Sequence, residues 1–214
     1  MAFKRFLSLL AAAGMALLVL VGAAAADPYR IVAFGDSLMA GYQLAPGESF
    51  PEKLEEALLA RGHDVVISNA SVSGDTTSGG LERLDWSIGE DTDLVILGLG
   101  ANDMLRGIAP ETPRANLKEM IERLREREMN IVLAGMVAAP NLGHAYAERF
   151  DSIYPDLAEA YDLPLYPFLL DGVVPNRSLL LDDGMHPNAK GVERMVEGFL
   201  PVIEPILEQD ANKS

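Results

Sequence analysis

No cysteine occurs anywhere in this sequence of 214 residues. That absence removes disulfides, a thiolate nucleophile, thiolate metal sites and acylation at a lipoprotein cysteine. The fold must therefore hold by packing alone, even in an oxidising compartment. Basic residues are scarce, with 17 Lys and Arg against 32 Asp and Glu. Such a surface repels nucleic acid and anionic lipid headgroups over a Debye length, so nucleic acid is not an expected partner. The acidic excess itself reads as solubility. Histidine appears only three times. The Gly-x-Ser-x-Gly elbow is missing altogether, which removes an α/β-hydrolase reading at its main motif. No internal repeat, low-complexity tract or domain linker interrupts the chain.

What is present begins with an export signature. Lys4 and Arg5 precede an uncharged, mostly apolar stretch from Phe6 to Ala26 that closes on Ala24-Ala25-Ala26. A basic segment, an apolar segment and an Ala-x-Ala site describe a secretory signal peptide at residues 1–26 rather than a retained anchor. Cleavage there leaves one domain, 27–214, that is periplasmic or secreted and not membrane-inserted. It also removes Lys4 and Arg5, leaving 15 basic against 32 acidic residues and a net charge of −17. Residues 27–214 suffice for a single sizeable core, and a monomer is the expectation.

Through this part, short apolar runs alternate with helical patterns. Candidate strands are Arg30–Phe34, Val65–Asn69, Leu94–Leu99, Ile131–Met136 and Leu163–Tyr166. Their near-continuous apolar character suits strands buried on both faces of a parallel sheet. Between them, Leu54, Ala57 and Leu58 mark one helix, and Leu117, Met120, Ile121 and Leu124 another at i, i+3, i+4, i+7. A third helix begins near His144, and a last one carries Val192, Met195, Val196 and Phe199. These stripes read as core faces. The alternation predicts a three-layer α/β/α sandwich around a mostly parallel five-stranded sheet. Ligands in such folds bind beyond the carboxyl ends of the strands. The first three loops expected there are Gly35-Asp36-Ser37, Ser71-Val72-Ser73-Gly74-Asp75 and Gly100-Ala101-Asn102-Asp103.

Chemistry enters with Ser37, at the end of an apolar run, and with Asp183-Gly184-Met185-His186 near the far end of the chain. A serine hydroxyl is a weak nucleophile until a base removes its proton. His186 can be that base if a carboxylate fixes its tautomer, and Asp183 can curl back to it within one turn. Of the other histidines, His63 reads as a solvated surface residue, and His144 as a pocket-rim residue with no carboxylate at similar spacing. Acyl transfer also needs donors where the oxyanion develops. Gly74, the Asn102 amide and the Ser37 N–H can supply them. Gly74 reads equally well as a plain turn residue before a helix capped by Asp75 or Thr76, and Asn102-Asp103 as another cap.

Taken together, the Gly35-Asp36-Ser37-Leu38 turn, Gly74, the Gly100-x-Asn102-Asp103 loop and Asp183-x-x-His186 resemble the four blocks of the SGNH (GDSL) hydrolase family. Further similarity to its thioesterase, lysophospholipase and arylesterase subgroup lies in Asn69–Thr76, Ile153-Tyr154-Pro155 and Asp182–Asn188. The resemblance implies a flavodoxin-like fold and a cofactor-independent, metal-free serine hydrolase. Its nucleophile would be Ser37, its base His186, and the acid orienting that base Asp183 rather than neighbouring Asp182. Ser37 N–H, Gly74 N–H and the Asn102 side chain would form the oxyanion hole. Asp36 reads as a turn-stabilising residue.

The expected activity is hydrolysis of small acyl esters, thioesters or lysophospholipids. Leu38, Leu105, Ile108 and Leu142, with Met39 and Val137, are the candidates for an acyl groove. A carbohydrate O-deacetylase on the same scaffold is the alternative, and a non-catalytic lipid- or glycan-binding module a more distant one.

Overall fold

A computed structural model describes residues 27–211. The expected signal peptide, residues 1–26, lies outside the described residues. Among those described, no helix is long and apolar enough to cross a membrane.

The sheet has five parallel strands in the order β2-β1-β3-β4-β5: β1 Tyr29–Gly35, β2 Val65–Asn69, β3 Leu94–Gly98, β4 Asn130–Ala134 and β5 Leu165–Tyr166. From β1 the chain runs first to one side and then to the other, which places the topological switch point between β1 and β3. The main helices are α1 Ser37–Ala40, α2 Phe50–Ala60, α3 Thr77–Ser87, α4 Ala101–Leu105, α5 Glu111–Glu126, α6 His144–Asp151, α7 Ile153–Tyr161 and α8 Ala189–Ala211. Helix α2 packs on α8, and α3 on α5. The periodic residues face inward as expected: Leu54, Leu58, Leu117, Met120, Ile121, Leu124, Val192, Met195 and Phe199 are all fully buried.

Three expectations need adjustment. Strand β2 is an edge strand on which only Val65 is buried and Val66 is 40% exposed. An apolar run there reflects pairing on one side rather than cover on both faces. Strand β4 ends at Ala134, two residues before Met136; beyond it Gly135 runs so close to Pro167 that a Cβ there would sit 2.4 Å from the Pro167 carbonyl oxygen. The helix expected from His144 is two helices. The first ends at Asp151, because Pro155 has no N–H to bond the Asp151 carbonyl, and α7 restarts at Ile153.

Two glycines let the site approach the sheet. Gly35 and Gly98 are register partners, and the Met39 side chain lies over both; a Cβ on Gly98 would be 2.3 Å from Met39 Cε. At the head of α4, Gly100 has φ +123° and a Cβ there would come within 2.2 Å of Tyr154 Oη. That hydroxyl is committed, donating to Leu99 O at 2.8 Å in the core. Gly100→Ala should therefore combine backbone strain with overpacking and lower the unfolding free energy by about 2–4 kcal/mol, measured by urea denaturation. A change below about 0.5 kcal/mol, the range of ordinary surface substitutions, would contradict it.

Candidate active site

Ser37 follows β1 directly and opens α1. Asp36, 1% exposed, caps that helix: its Oδ1 accepts from Leu38 N–H at 3.1 Å. Its Oδ2 accepts from Asn102 Nδ2 at 3.3 Å. Burial pushes the Asp36 carboxyl up to about 6, against the lowering effect of those two donors. Asp36 thus stabilises its turn, as expected, and also orients Asn102.

The Asp183–His186 loop is a tight turn closed by Leu181 N–H donating to His186 O at 2.8 Å. Asp183 Oδ1 accepts from the backbone N–H groups of Met185 (2.9 Å) and His186 (3.0 Å), while Oδ2 lies 2.6 Å from His186 Nδ1. These donors hold the Asp183 carboxyl well below the usual carboxylate range, at about 2. On the opposite side of the imidazole, Nε2 lies 2.8 Å from Ser37 Oγ. The carboxylate, ring and hydroxyl form one continuous relay in which Nε2 can accept the hydroxyl proton. Asp182 takes no part; its backbone carbonyl accepts from Arg177 Nη2 at 2.6 Å, and Arg177 also donates to Leu181 O. The Tyr42 ring lies over His186 at 4.4 Å between centroids, inclined by 37°. Nothing in the sequence spacing marked Tyr42, because the contact joins segments from opposite ends of the chain.

Three candidate donors lie on the segments that follow β1, β2 and β3. The Ser37 N–H opens a helix, where the first N–H groups have no intrahelical acceptor. Asn102, in the first turn of α4, has one amide hydrogen on Asp36 and one left over. Gly74 sits at φ +87° in the loop after β2, with its carbonyl held by Arg106 Nη2 at 2.8 Å. Its neighbours settle the capping question. Thr76 caps α3 by accepting from Gly79 N–H, and Asp75 pairs instead with Arg83 at 2.6 Å. Asp103 is no local cap either. Completely buried, it accepts from Thr77 N–H and Thr77 Oγ at 2.8 and 2.7 Å, fastening α4 to the head of α3.

Beside Ser37 and His186 opens a cavity of about 510 Å³. Apart from His186 and Asn102 its lining is almost wholly apolar, including Met104, Met136, Ala138, Phe168 and Leu170. Of the expected groove residues, Leu38, Leu105 and Val137 line it. Ile108 and Leu142, expected there, do not. Ile108 closes the turn after α4, with N–H to Asp103 O and its carbonyl accepting from Tyr146 Oη. Leu142 packs on the core. Met39 is buried under Ser37 against the sheet and also leaves the set. Gly74 lies on an adjoining loop rather than in the lining. The remaining histidines lie away from it: His63 is 3.8 Å from Glu204, and solvent-facing His144 is 3.6 Å from Glu148.

Comparison with known proteins gives a consistent result. Residues 33–194 match the model of the GDSL-like Lipase/Acylhydrolase family. An arylesterase of Vibrio mimicus is 42% identical over 168 residues, 78% of this chain and 84% of that protein. Thioesterase 1/protease 1/lysophospholipase L1 of Escherichia coli K12 is 32% identical over 190 residues, 88% of this chain and 89% of that protein. Among solved structures, AlinE4, an SGNH-hydrolase family esterase, is 46% identical and superposes with a TM-score of 0.72, covering 85% of this chain and 98% of its own.

Proposed function

Since the chain belongs to the GDSL-like lipase/acylhydrolase family and is an ester hydrolase of it, we propose that it is an exported serine esterase. Its substrates are small acyl esters, thioesters or lysophospholipids, cleaved through a covalent acyl-enzyme. The observation that carries this reading is the unbroken Asp183–His186–Ser37 hydrogen-bond relay opening on an apolar cleft.

His186 Nε2 takes the proton as Ser37 Oγ attacks the acyl carbon. The negative charge that collects on the carbonyl oxygen is met by Ser37 N–H, Gly74 N–H and the free Asn102 amide hydrogen. Asp183 stays ionised throughout, because its carboxyl is held near 2, and it stabilises the imidazolium. The imidazolium then protonates the departing alcohol or thiol. Water, deprotonated by the same Nε2, attacks the acyl-enzyme, and Ser37 leaves with the proton returned by His186. No cofactor enters this scheme. Residues 1–26 direct export; mass spectrometry of the exported protein should find Asp27 at its N-terminus.

The apolar cleft supports an acyl-chain substrate over a carbohydrate acetate. Two measurements test the reading. An alkyl organophosphonate should inactivate the enzyme with one adduct, mapped to Ser37; an adduct on another serine overturns the assignment. In a p-nitrophenyl ester series, kcat/KM should rise beyond acetate as the chain fills the cleft, whereas activity confined to acetate would favour a deacetylase.

Val137 stands at the mouth, 41% exposed. Val137→Trp should narrow the cleft without disturbing the core. Turnover of decanoate should fall roughly tenfold, with acetate changed by less than about threefold, in keeping with the 1–3 kcal/mol that a pocket contact contributes to discrimination. An equal loss on both esters would place the acyl chain elsewhere.

A further inference from the structure

The oxyanion donors sit on three different segments, and these are not equally anchored. Ser37 hangs directly on β1 and Asn102 follows closely on β3, both central strands. Gly74 lies five residues beyond the end of β2, the exposed edge strand. Backbone hydrogen bonds tie its loop to β1 through Ala70 N–H to Ala33 O and Val72 N–H to Gly35 O, and stop before Gly74, whose own carbonyl is held only from the α4 side, by Arg106 Nη2.

Arg83 lies under this gap. Its side chain is 8% exposed and its guanidinium carbon stands 4.0 Å from the centre of the Phe34 ring. Nε donates to Asp75 Oδ2 at 2.6 Å, the residue after Gly74. Nη1 donates to Ala70 O at the start of the loop, and Nη2 to Gly35 O at 3.1 Å, two residues before Ser37. One planar fork therefore grips both ends of the Gly74 loop and the strand end that leads into the nucleophile. The chain of contacts closes on itself: Gly35–Asp36, Asp36 to Asn102, Asp103 to Thr77, Asp75 to Arg83, and Arg83 back to Gly35.

We propose that Arg83 is a positioning residue of the oxyanion hole, fixing the Gly74 N–H relative to the Ser37 N–H; this rests on the reading of Ser37 and Gly74 given above. A buried cation that served only to neutralise Asp75 would need one contact. Here every arm of the fork is used, and two arms go to backbone carbonyls of the segments that must be held in register. Lysine, a point charge with three donors, cannot reproduce that planar reach or the stacking on Phe34.

The test is Arg83→Lys, read by kinetics and by two inhibitors. An alkyl trifluoromethyl ketone accepts Ser37 and places an oxyanion in the hole, whereas the matching alkyl ether only occupies the cleft. The expected result is a kcat reduced roughly tenfold to hundredfold with KM within about threefold, since a small misplacement of a donor forfeits transition-state stabilisation. Ketone affinity should fall in step with kcat/KM, and ether affinity should stay constant. A folded Arg83→Lys with kcat within threefold of the parent, or ketone and ether affinities that fall together, overturns the proposal. If Arg83→Lys does not fold, Asp75→Ala decides alone. It removes the acceptor of the Nε arm, and must show the same split between ketone and ether; unchanged kcat overturns the proposal. Organophosphonate mapping on the parent enzyme keeps the two readings apart. A label away from Ser37 defeats the nucleophile assignment, whereas a label on Ser37 at a rate that Arg83→Lys leaves unchanged defeats only the role of Arg83.

Discussion

Ser37→Ala should lower kcat by at least ~10⁴-fold, His186→Ala by a similar factor, and the double variant by little more than either alone, because a nucleophile and its base act as one unit. The 2.8 Å contact between Ser37 Oγ and His186 Nε2 is the physical ground for that non-additivity. Asp183→Asn is the sharper variant. Its Oδ1 can still accept from the Met185 and His186 N–H groups, so the turn should survive. The amide nitrogen replacing Oδ2 would donate to Nδ1, forcing the ring proton onto Nε2, which then donates to Ser37 instead of accepting from it. Loss of the correct tautomer drops kcat by about 10⁴-fold in serine proteases, and a loss of that order is expected here. Asp182→Asn should be almost silent, since only the Asp182 backbone is engaged. A large loss on Asp182→Asn with little on Asp183→Asn would reverse the assignment. The same carboxylate contributes to stability with a definite sign. Its folded value, about 2, lies below the ~3.9 of an unfolded aspartate. The stabilisation from its hydrogen bonds is therefore complete above about pH 4 and is lost as pH falls toward 2.

Much of this site was legible because it is encoded locally. The strand that breaks into Gly35-Asp36-Ser37 and the Asp183-x-x-His186 turn each carry their geometry within a few residues, and the 3.6-residue stripes located the core faces. What escaped is assembled between segments. The cleft walls come from residues after β3, β4 and β5, so Met104, Met136 and Phe168 meet only in the folded chain. Apolar character alone equally nominated Ile108 and Leu142, which pack elsewhere. Tyr42 over His186 joins an early segment to a late one. Arg83 belongs to no motif of the sequence, yet its side chain is buried against Phe34. The edge position of β2 likewise depends on strand order, which its five-residue run does not contain.

Asn102→Ala should lower kcat by about 10²–10³-fold with little change in KM, the cost of removing one side-chain donor from an oxyanion hole. Its partner allows a finer experiment. Asp36 accepts from Asn102 while ionised, and burial brings its carboxyl up to about 6. Below that pH, with Oδ1 accepting from Leu38 N–H, the proton falls to Oδ2, which then donates best to the Asn102 carbonyl and favours the flipped amide that withdraws the N–H from the hole. Protonation of His186 separately removes the base. The acid limb of kcat/KM should thus steepen toward two protons per active site. Asp36→Asn mimics the protonated state at every pH, since its amide would donate to the Asn102 carbonyl. It should turn over roughly tenfold more slowly at pH 8, a donor misaligned rather than deleted, and its acid limb should show a single proton. Stability should move the other way. A raised carboxyl means that the native state binds a proton between about pH 4 and 6 that the unfolded chain does not, so ionised Asp36 destabilises the fold above pH 6. Asp36→Asn removes that burial penalty while leaving an oxygen to accept from Leu38 N–H, and should be at least as stable as the parent at pH 8. A variant that is slower, no less stable and limited by one proton would show Asp36 working through Asn102; a two-proton limb retained in Asp36→Asn would assign the second ionisation to another group.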